Sequence, residues 1–107
     1  MANILFVCSR NELRSPTGEA VFSCEPGINA RSAGLSPDAE ERLGVEDVEW
    51  ADIIFVMESA HKRKLKQDFA SNVKNKKVVC LEIPDKYKYM DADLVELFRC
   101  KVPLHFR

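Results

Sequence analysis

A cysteine and an arginine six residues apart, Cys8 and Arg14, are the residues of this chain whose types and spacing best suit a chemical reaction. A loop that curls over the N-terminus of a helix directs several backbone N–H groups at one point, where the helix dipole adds partial positive charge. Such a loop binds an oxyanion such as phosphate. We therefore expect a phosphate group to be surrounded by the residues between the pair, which are Ser9, Arg10, Asn11, Glu12 and Leu13.

Phosphoryl transfer through a phosphocysteine is the reaction that this loop favours. The positive field would favour the thiolate form of Cys8, which would lie beneath the anion. Arg14 can bind two phosphate oxygens with its planar guanidinium group. Ser15 follows it, and its hydroxyl could hydrogen-bond the sulfur. The simpler interpretation is that Cys8 is a small buried hydrophobic residue at the end of a strand.

Four short runs rich in Ile, Val, Leu and Phe predict the strands that must position this loop. They cover residues 3–7, 28–33, 52–57 and 77–83, and three of them are apolar on both faces, as buried parallel strands are. Helical segments lie between them, with expected N-caps at Ser15, Ser59 and Asp91 and one or two short helices in residues 37–50, broken at Gly44. Strands that alternate with helices predict a parallel α/β sheet with right-handed crossovers.

Length and composition predict one globular domain over residues 1–107. The chain has 46% hydrophobic residues and a formal net charge of −1, and its longest apolar stretch, residues 51–57, is too short to span a bilayer. The N-terminus lacks the basic region of a signal peptide, so we expect a cytoplasmic protein without a membrane partner. We also expect free thiols at all four cysteines, which are Cys8, Cys24, Cys80 and Cys100.

A basic segment covers residues 59–77, where seven Lys or Arg residues stand against one acidic residue. Such a segment could attract an anionic partner, but it also fits the solvent-exposed side of a helix and the loop after it. No aromatic residues alternate with these lysines as a base-stacking surface would require. We therefore expect no nucleic-acid partner.

The sequence resembles the low-molecular-weight protein tyrosine phosphatases, and among them a group of short bacterial versions. The similarity includes ILFVCSRNELRSPTGEAVF, the RSAGLS segment at residues 31–36, EDVEWADIIFVMESAHKRKL, and IPDKYKYMD near the end. It implies an α/β three-layer sandwich of the phosphotyrosine protein phosphatase I type, with a four-stranded parallel sheet in the order 2-1-3-4 and helices on both faces. It also implies a phosphomonoesterase that needs no metal or other cofactor, acts on a phosphorylated protein or a small aryl phosphate, and releases inorganic phosphate.

Roles at individual positions follow from the same resemblance. Cys8 would be the nucleophile and Arg14 the phosphate ligand, with Ser15 assisting the thiolate. Asn11 matches a loop asparagine with a left-handed backbone, which Asn tolerates, and Ser36 matches a serine that supports the loop. Asp85 matches the general acid and Tyr87 an aromatic residue beside the site. Independently of the resemblance, Asp85 follows an apolar run, so it should emerge at the same sheet edge as Cys8. There one carboxyl group could protonate the leaving oxygen and then activate water against the phosphocysteine. The alternative is that Asp85 is an exposed turn residue.

Some positions depart from the family pattern. Arg10 stands where the family usually has Gly, Leu13 replaces the second loop cysteine of many members, and Lys86 follows Asp85 where Pro is common. The short segment after Ser36 lacks the histidine that supports the loop in the family. His61 is no obvious replacement for that histidine, because its spacing indicates a partly buried position on a helix. We expect the Glu12 side chain to point outward, because a carboxylate inside the loop would repel an anion.

Two other functions use the same loop. A thioredoxin-linked arsenate reductase would need two further cysteines placed to relay a disulfide, and no such pair is evident among Cys24, Cys80 and Cys100. A phosphate-binding or phosphoprotein-binding module without turnover is the other alternative, favoured by the changes at Arg10 and Lys86.

Overall fold

Four parallel strands form the central sheet of the structure, a computed structural model that describes residues 2–105. The strands are β1 (Ala2–Cys8), β2 (Ile28–Gly34), β3 (Ile53–Val56) and β4 (Lys77–Cys80), and their order across the sheet is β2-β1-β3-β4. Cys8 at the end of β1 pairs with Gly34 at the end of β2. The predicted sheet is therefore confirmed in strand number, direction and order.

Helices cover both faces of this sheet. Helices α1 (Arg14–Phe22) and α5 (Ala92–Lys101) pack on one face, and a short 3-10 helix (Pro103–His105) follows α5. Helices α2 (Val45–Trp50), α3 (Ser59–Asp68) and α4 (Ala70–Val73) contribute to the core on the other face. The three-layer α/β architecture implied by the family resemblance is thus confirmed.

The alternating side chains of β1 divide the core into two clusters. Ile4 and Phe6 face α1 and α5, whereas Leu5 and Val7 face the opposite layer, and all four are fully buried. Successive side chains of a strand point to opposite faces, so a central strand between two helical layers must be apolar throughout. Gly18 lets α1 lie close to the sheet, since a Cβ atom there would be 2.8 Å from the Phe6 ring.

Helix boundaries match the sequence expectations only in part. Asp91 caps α5 as predicted, because its side chain accepts a hydrogen bond from the backbone N–H of Asp93 at 2.9 Å. Ser15 does not cap α1, which begins at Arg14, since the Ser15 hydroxyl is engaged with Cys8 instead. Ser59 is the first residue of α3 rather than its cap. Residues 37–43 are irregular, and helix α2 begins only after Gly44.

Within residues 2–105, no helix combines the length and the apolar composition that a crossing of the bilayer requires.

Candidate active site

The loop between β1 and α1 is held from behind by the chain that follows β2. The carbonyl groups of Cys8, Ser9 and Arg10 accept hydrogen bonds from the backbone N–H groups of Leu35, Ser36 and Glu40, at 2.9, 2.8 and 3.1 Å respectively. A free carbonyl near an anion would repel it, so occupying these oxygens elsewhere prepares the loop to bind an anion. Gly34 permits the close approach, because a Cβ atom there would be 2.7 Å from the Ser9 carbonyl oxygen.

The sulfur of Cys8 lies at the centre of a small hydrogen-bond network. The Asn11 backbone N–H donates to Cys8 Sγ at 3.2 Å, and its side-chain amide donates to Ser15 Oγ at 2.9 Å. Ser15 Oγ is also 2.9 Å from Cys8 Sγ. Since the hydroxyl oxygen already accepts from Asn11, its proton is free to point at the sulfur. Two donors therefore face Cys8, an arrangement that stabilises negative charge on the sulfur.

Asn11 gives the loop its shape. Its φ of 55° is left-handed, as the resemblance implied, and the residue is 4% exposed. Asn is one of the few residues apart from Gly that adopt this conformation routinely. The left-handed turn brings the Asn11 N–H back toward Cys8 Sγ, so the backbone conformation and the hydrogen bond to the sulfur depend on each other.

Arg14 is the first residue of α1 and is fixed in one orientation. It is 5% exposed, and its Nη1 donates to the Ile83 carbonyl at 2.7 Å and contacts Glu58 Oε2 at 2.7 Å. Its Nε lies 3.7 Å from Asp85 Oδ1. Sequence reasoning missed Glu58, although Glu58 follows the buried end of β3 and so emerges at the same sheet edge as Cys8. Its position at the end of a predicted strand was the available signal, whereas its pairing with Arg14 is seen only in the folded structure.

The chain after β4 brings Asp85 to the site. Ile83 extends the pairing beyond β4 by donating its N–H to the Met57 carbonyl at 2.9 Å, and Asp85 then emerges two residues later with a side chain that is 66% exposed. Tyr87 is not among the residues that line the pocket described next, and its half-buried ring packs against the core cluster that contains both Cys8 and Phe98. The aromatic flank expected of Tyr87 is therefore not part of the pocket described next.

A pocket of about 130 Å³ opens above Cys8. A water molecule accounts for about 30 Å³ of liquid volume, so the pocket suits a phosphate group and excludes a bulky ligand. Glu12 was expected to point outward, and its side chain is 46% exposed. It nevertheless lines the pocket, and its Oε1 lies 3.4 Å from Arg10 Nε. The pocket is lined by Cys8, Ser9, Arg10, Glu12, Leu13, Arg14 and Asp85.

Ser36 supports the loop through its backbone. Its N–H donates to the Ser9 carbonyl, whereas its side-chain Oγ accepts from the Asp38 N–H at 3.2 Å. The resemblance implied a supporting serine at this position, and the contact that the structure gives to the loop needs no particular side chain.

His61 contacts the loop from the other side, although its spacing in the sequence does not indicate this contact. It is buried on α3, as predicted, with Nε2 3.1 Å from Ser9 Oγ. Its Nδ1 accepts from the Glu58 backbone N–H at 3.2 Å. Neutral imidazole has one donor and one acceptor nitrogen, so Nε2 carries the proton and donates to Ser9. The sequence could not reveal this contact, because 52 residues separate its partners.

Burial lowers the pKa of His61 below its usual value near 6.5, and the Arg14 guanidinium lowers it further, while the carboxylates of Glu58 and Asp85 oppose the shift in part. The folded protein therefore resists protonation of this ring. Protonation would also place a second donor on Nδ1 against the Glu58 N–H. Because the unfolded chain binds this proton more readily, the free energy of unfolding should fall as the pH drops below about 6.5.

We expect His61→Ala to lower kcat/KM for phosphate esters about tenfold, since one hydrogen bond that holds the loop is worth roughly 1 kcal/mol. The same variant should lose part of the acid sensitivity of the folded protein, measured by urea unfolding between pH 7 and pH 5. Ser9→Ala is the matched control, because it removes the same hydrogen bond but leaves the titrating ring in place. If the free energy of unfolding falls equally between pH 7 and pH 5 in wild type and in His61→Ala, His61 is not the source of the acid sensitivity.

A larger groove, of about 370 Å³, lies between α3, α4 and β4 and is lined by Lys62, Lys66, Lys74 and Lys76 together with small apolar residues. Lys76 is already engaged by the carbonyls of Glu49 and Ala51, both at 2.8 Å. The basic segment at residues 59–77 therefore forms a surface of α3 and α4, and the described residues that line its groove include no Cys, Ser, His, Asp or Glu.

The four cysteines all lie within the described residues and none is in a disulfide. Cys80 ends β4, two strands from Cys8, which corresponds to roughly 10 Å at about 4.8 Å per strand. Disulfides need Cα atoms within about 7 Å. Cys24 and Cys100 are exposed and lie at the other end of α1 and α5. This placement does not provide the relay that an arsenate reductase requires.

Solved structures of low-molecular-weight phosphatases have the same fold as this chain. The protein tyrosine phosphatase SP-PTP from Streptococcus pyogenes is 16% identical to this chain, with a TM-score of 0.78. The alignment covers 100% of this chain and 95% of the SP-PTP chain. The chain has the low-molecular-weight protein tyrosine phosphatase fold. The YwlE arginine phosphatase from Geobacillus stearothermophilus shares this phosphatase fold at 23% identity, with 97% of this chain and 93% of that chain covered and a TM-score of 0.77.

A third structure with the phosphatase fold is a YwlE arginine phosphatase variant with a phosphorylated active-site serine. It is 25% identical to this chain, with a TM-score of 0.73, and the alignment covers 98% of this chain and 97% of that chain. No protein-family model matches the sequence, and no curated protein matches it either. The identification therefore depends on the fold and on the geometry of the loop.

Proposed function

We propose that this protein is a phosphatase that hydrolyses phosphate monoesters or phosphoramidates through a phosphocysteine on Cys8, without a metal ion. The observation that carries the proposal is the pair of donors on the Cys8 sulfur, from Asn11 N–H and Ser15 Oγ, beneath a pocket of phosphate size. The phosphatases of the same fold support it. We also infer that residues 1–107 make up one such domain.

In the first step the Cys8 thiolate attacks phosphorus in line with the leaving group. Arg14 offers donors to the equatorial oxygens; its guanidinium has five N–H groups, and Nη1 is already held by Ile83 and Glu58. The Asp85 carboxyl protonates the leaving atom as its bond to phosphorus breaks. In the second step water attacks phosphocysteine, the Asp85 carboxylate takes the proton of that water, and inorganic phosphate leaves with the thiolate restored.

The substrate belongs to one of two chemical classes. A phosphotyrosine residue or small aryl phosphate is the class expected from the sequence. Phosphoarginine is the other, because the YwlE structures that share the fold are arginine phosphatases. The generic test is hydrolysis of p-nitrophenyl phosphate with and without a chelator such as EDTA. We expect turnover that the chelator leaves unchanged. Tight binding of phosphate without turnover would instead indicate a phosphate-binding module.

Asp85→Asn should affect substrates according to the basicity of their leaving group. Phenyl phosphate needs a proton on its leaving oxygen more than p-nitrophenyl phosphate does. We expect kcat/KM, which reports formation of the phosphocysteine, to fall about 100-fold for phenyl phosphate, as loss of a general acid does. For p-nitrophenyl phosphate, whose leaving group is less basic, we expect a smaller loss of about tenfold. Asp91→Asn, at the cap of α5, is the matched control. Equal losses on the two esters would remove Asp85 from the proton-transfer role.

A further inference from the structure

Glu12 is the feature of the pocket that the proposed mechanism does not use. Its carboxylate lines the same wall as Leu13 and Asp85, at the mouth of a site that should receive a phosphate dianion. A carboxylate in this position repels the phosphate and any negative charge that develops on an aryl leaving group. Since it is 46% exposed, solvent weakens this repulsion but does not remove it.

Among the described residues, the wall of the pocket offers no aromatic side chain on which a phenol ring could stack. Among the described residues that line it, Leu13 is the large apolar side chain and none is aromatic. Tyr87, the aromatic residue expected to flank the site, does not line this pocket. Beside Leu13, a leaving group in this pocket meets the Asp85 carboxyl group and the Glu12 carboxylate, which is paired with Arg10.

A guanidinium group already lies on this carboxylate. Arg10 Nε is 3.4 Å from Glu12 Oε1, and the two side chains are 61% and 46% exposed. Exposed pairs of this kind are worth about 0 to 1 kcal/mol, so an incoming guanidinium can replace Arg10 at little cost. The internal pair shows that the Glu12 carboxylate can accept a guanidinium at the pocket.

We propose that Glu12 makes the site selective for phosphate carried on a guanidinium group, as in phosphoarginine, over phosphate carried on a phenol ring. The proposal depends on the phosphatase function proposed above. The Cys8 thiolate forms the S–P bond while the P–N bond breaks, and the electron pair of that bond stays on the leaving nitrogen. Asp85 protonates this nitrogen, and the released guanidinium is held by Glu12. Hydrolysis of phosphocysteine then proceeds as before.

Glu12→Gln tests the proposal because it keeps the shape of the side chain and removes its charge. We expect kcat/KM for phosphoarginine to fall up to about fivefold, the effect of one exposed ion pair worth up to about 1 kcal/mol. For phosphotyrosine it should stay the same or rise. The loss on phosphoarginine should also shrink at high salt, since ions screen an exposed pair. Glu25→Gln, an exposed carboxylate outside the pocket, is the control and should change neither value.

The outcomes separate the two proposals. An equal loss on both substrates would show that Glu12 only supports the loop, and it would overturn the selectivity while leaving the phosphatase in place. Failure of wild type to hydrolyse any of phosphoarginine, phosphotyrosine and p-nitrophenyl phosphate would overturn the phosphatase and the selectivity together. Running free phosphoarginine beside a phosphoarginine peptide distinguishes a small-molecule substrate from a protein substrate, and the selective loss in Glu12→Gln on either one supports the proposal.

Discussion

Cys8→Ser is expected to reduce turnover of every phosphate substrate by at least about 10⁴-fold, because a serine hydroxyl at neutral pH is a far weaker nucleophile than a thiolate. The groups that face Cys8 Sγ, which are the Asn11 N–H and the Ser15 hydroxyl, donate hydrogen bonds and so do not take a proton from a serine hydroxyl at this position. Steady-state hydrolysis of p-nitrophenyl phosphate measures the loss. The wild type should also yield a phosphorylated Cys8 peptide when turnover is quenched with acid.

The Cys8→Ser result is informative only if the loop keeps its shape. Serine is smaller than cysteine and similar in form, so the variant should still bind inorganic phosphate, which calorimetry can measure. Cys24→Ser changes an exposed thiol at the far end of α1 and should retain full activity. More than a few per cent of wild-type activity in Cys8→Ser, with the fold intact, would exclude the covalent mechanism.

Arg14→Lys is the second large effect that we expect. Lysine keeps the positive charge but lacks the planar fork that binds two oxygens at once, so kcat/KM should fall about 10³-fold, and Arg14→Ala should lose more. Arg14 Nη1 bridges the Ile83 carbonyl and Glu58 from a buried position, so both variants also lose contacts that hold the β1 and β4 sides of the site together.

Stability and catalysis can be separated at this position. Urea unfolding reports how much Arg14→Lys and Arg14→Ala weaken the fold. Glu58→Gln is the matched variant, because it weakens the hold on Arg14 without removing the phosphate ligand. We expect it to lower kcat/KM about tenfold, as loss of one charged hydrogen bond does. If Arg14→Ala stays folded and within tenfold of wild type, Arg14 does not bind the transferred phosphate.

The sequence predicted the parts of this protein that local chemistry determines. The apolar runs identified all four strands, Asp91 marked the start of α5, and Asn11 has the left-handed backbone that the resemblance implied. In each case a short stretch of chain is sufficient to determine the local structure. A strand buried on both faces must be apolar throughout, and a tight loop needs a residue that tolerates positive φ.

The contacts that cross the sheet could not be predicted. Glu58 reaches Arg14, and His61 reaches Ser9, only because the ends of β1 and β3 are neighbours at one edge. Tyr87 was expected to flank the site from its position in the chain; it does not line the pocket, and its half-buried ring packs against a core cluster that also contains Cys8. Ser15 is a residue type that favours a helix cap, but its hydroxyl is engaged with the Cys8 sulfur, and α1 begins two residues earlier than a cap at Ser15 would place it.

The hydrogen bond from Arg14 to the Ile83 carbonyl has a consequence for folding. Its partners are 69 residues apart, and Cys8, Glu58 and Asp85 reach the site from the ends of three different strands. Parallel strands with such distant pairings form slowly, because the chain loses the entropy of closing long loops before the stabilising contacts can form. Enzymatic activity should therefore return late during refolding, after the hydrophobic collapse, and its appearance marks the moment at which β4 has joined the sheet.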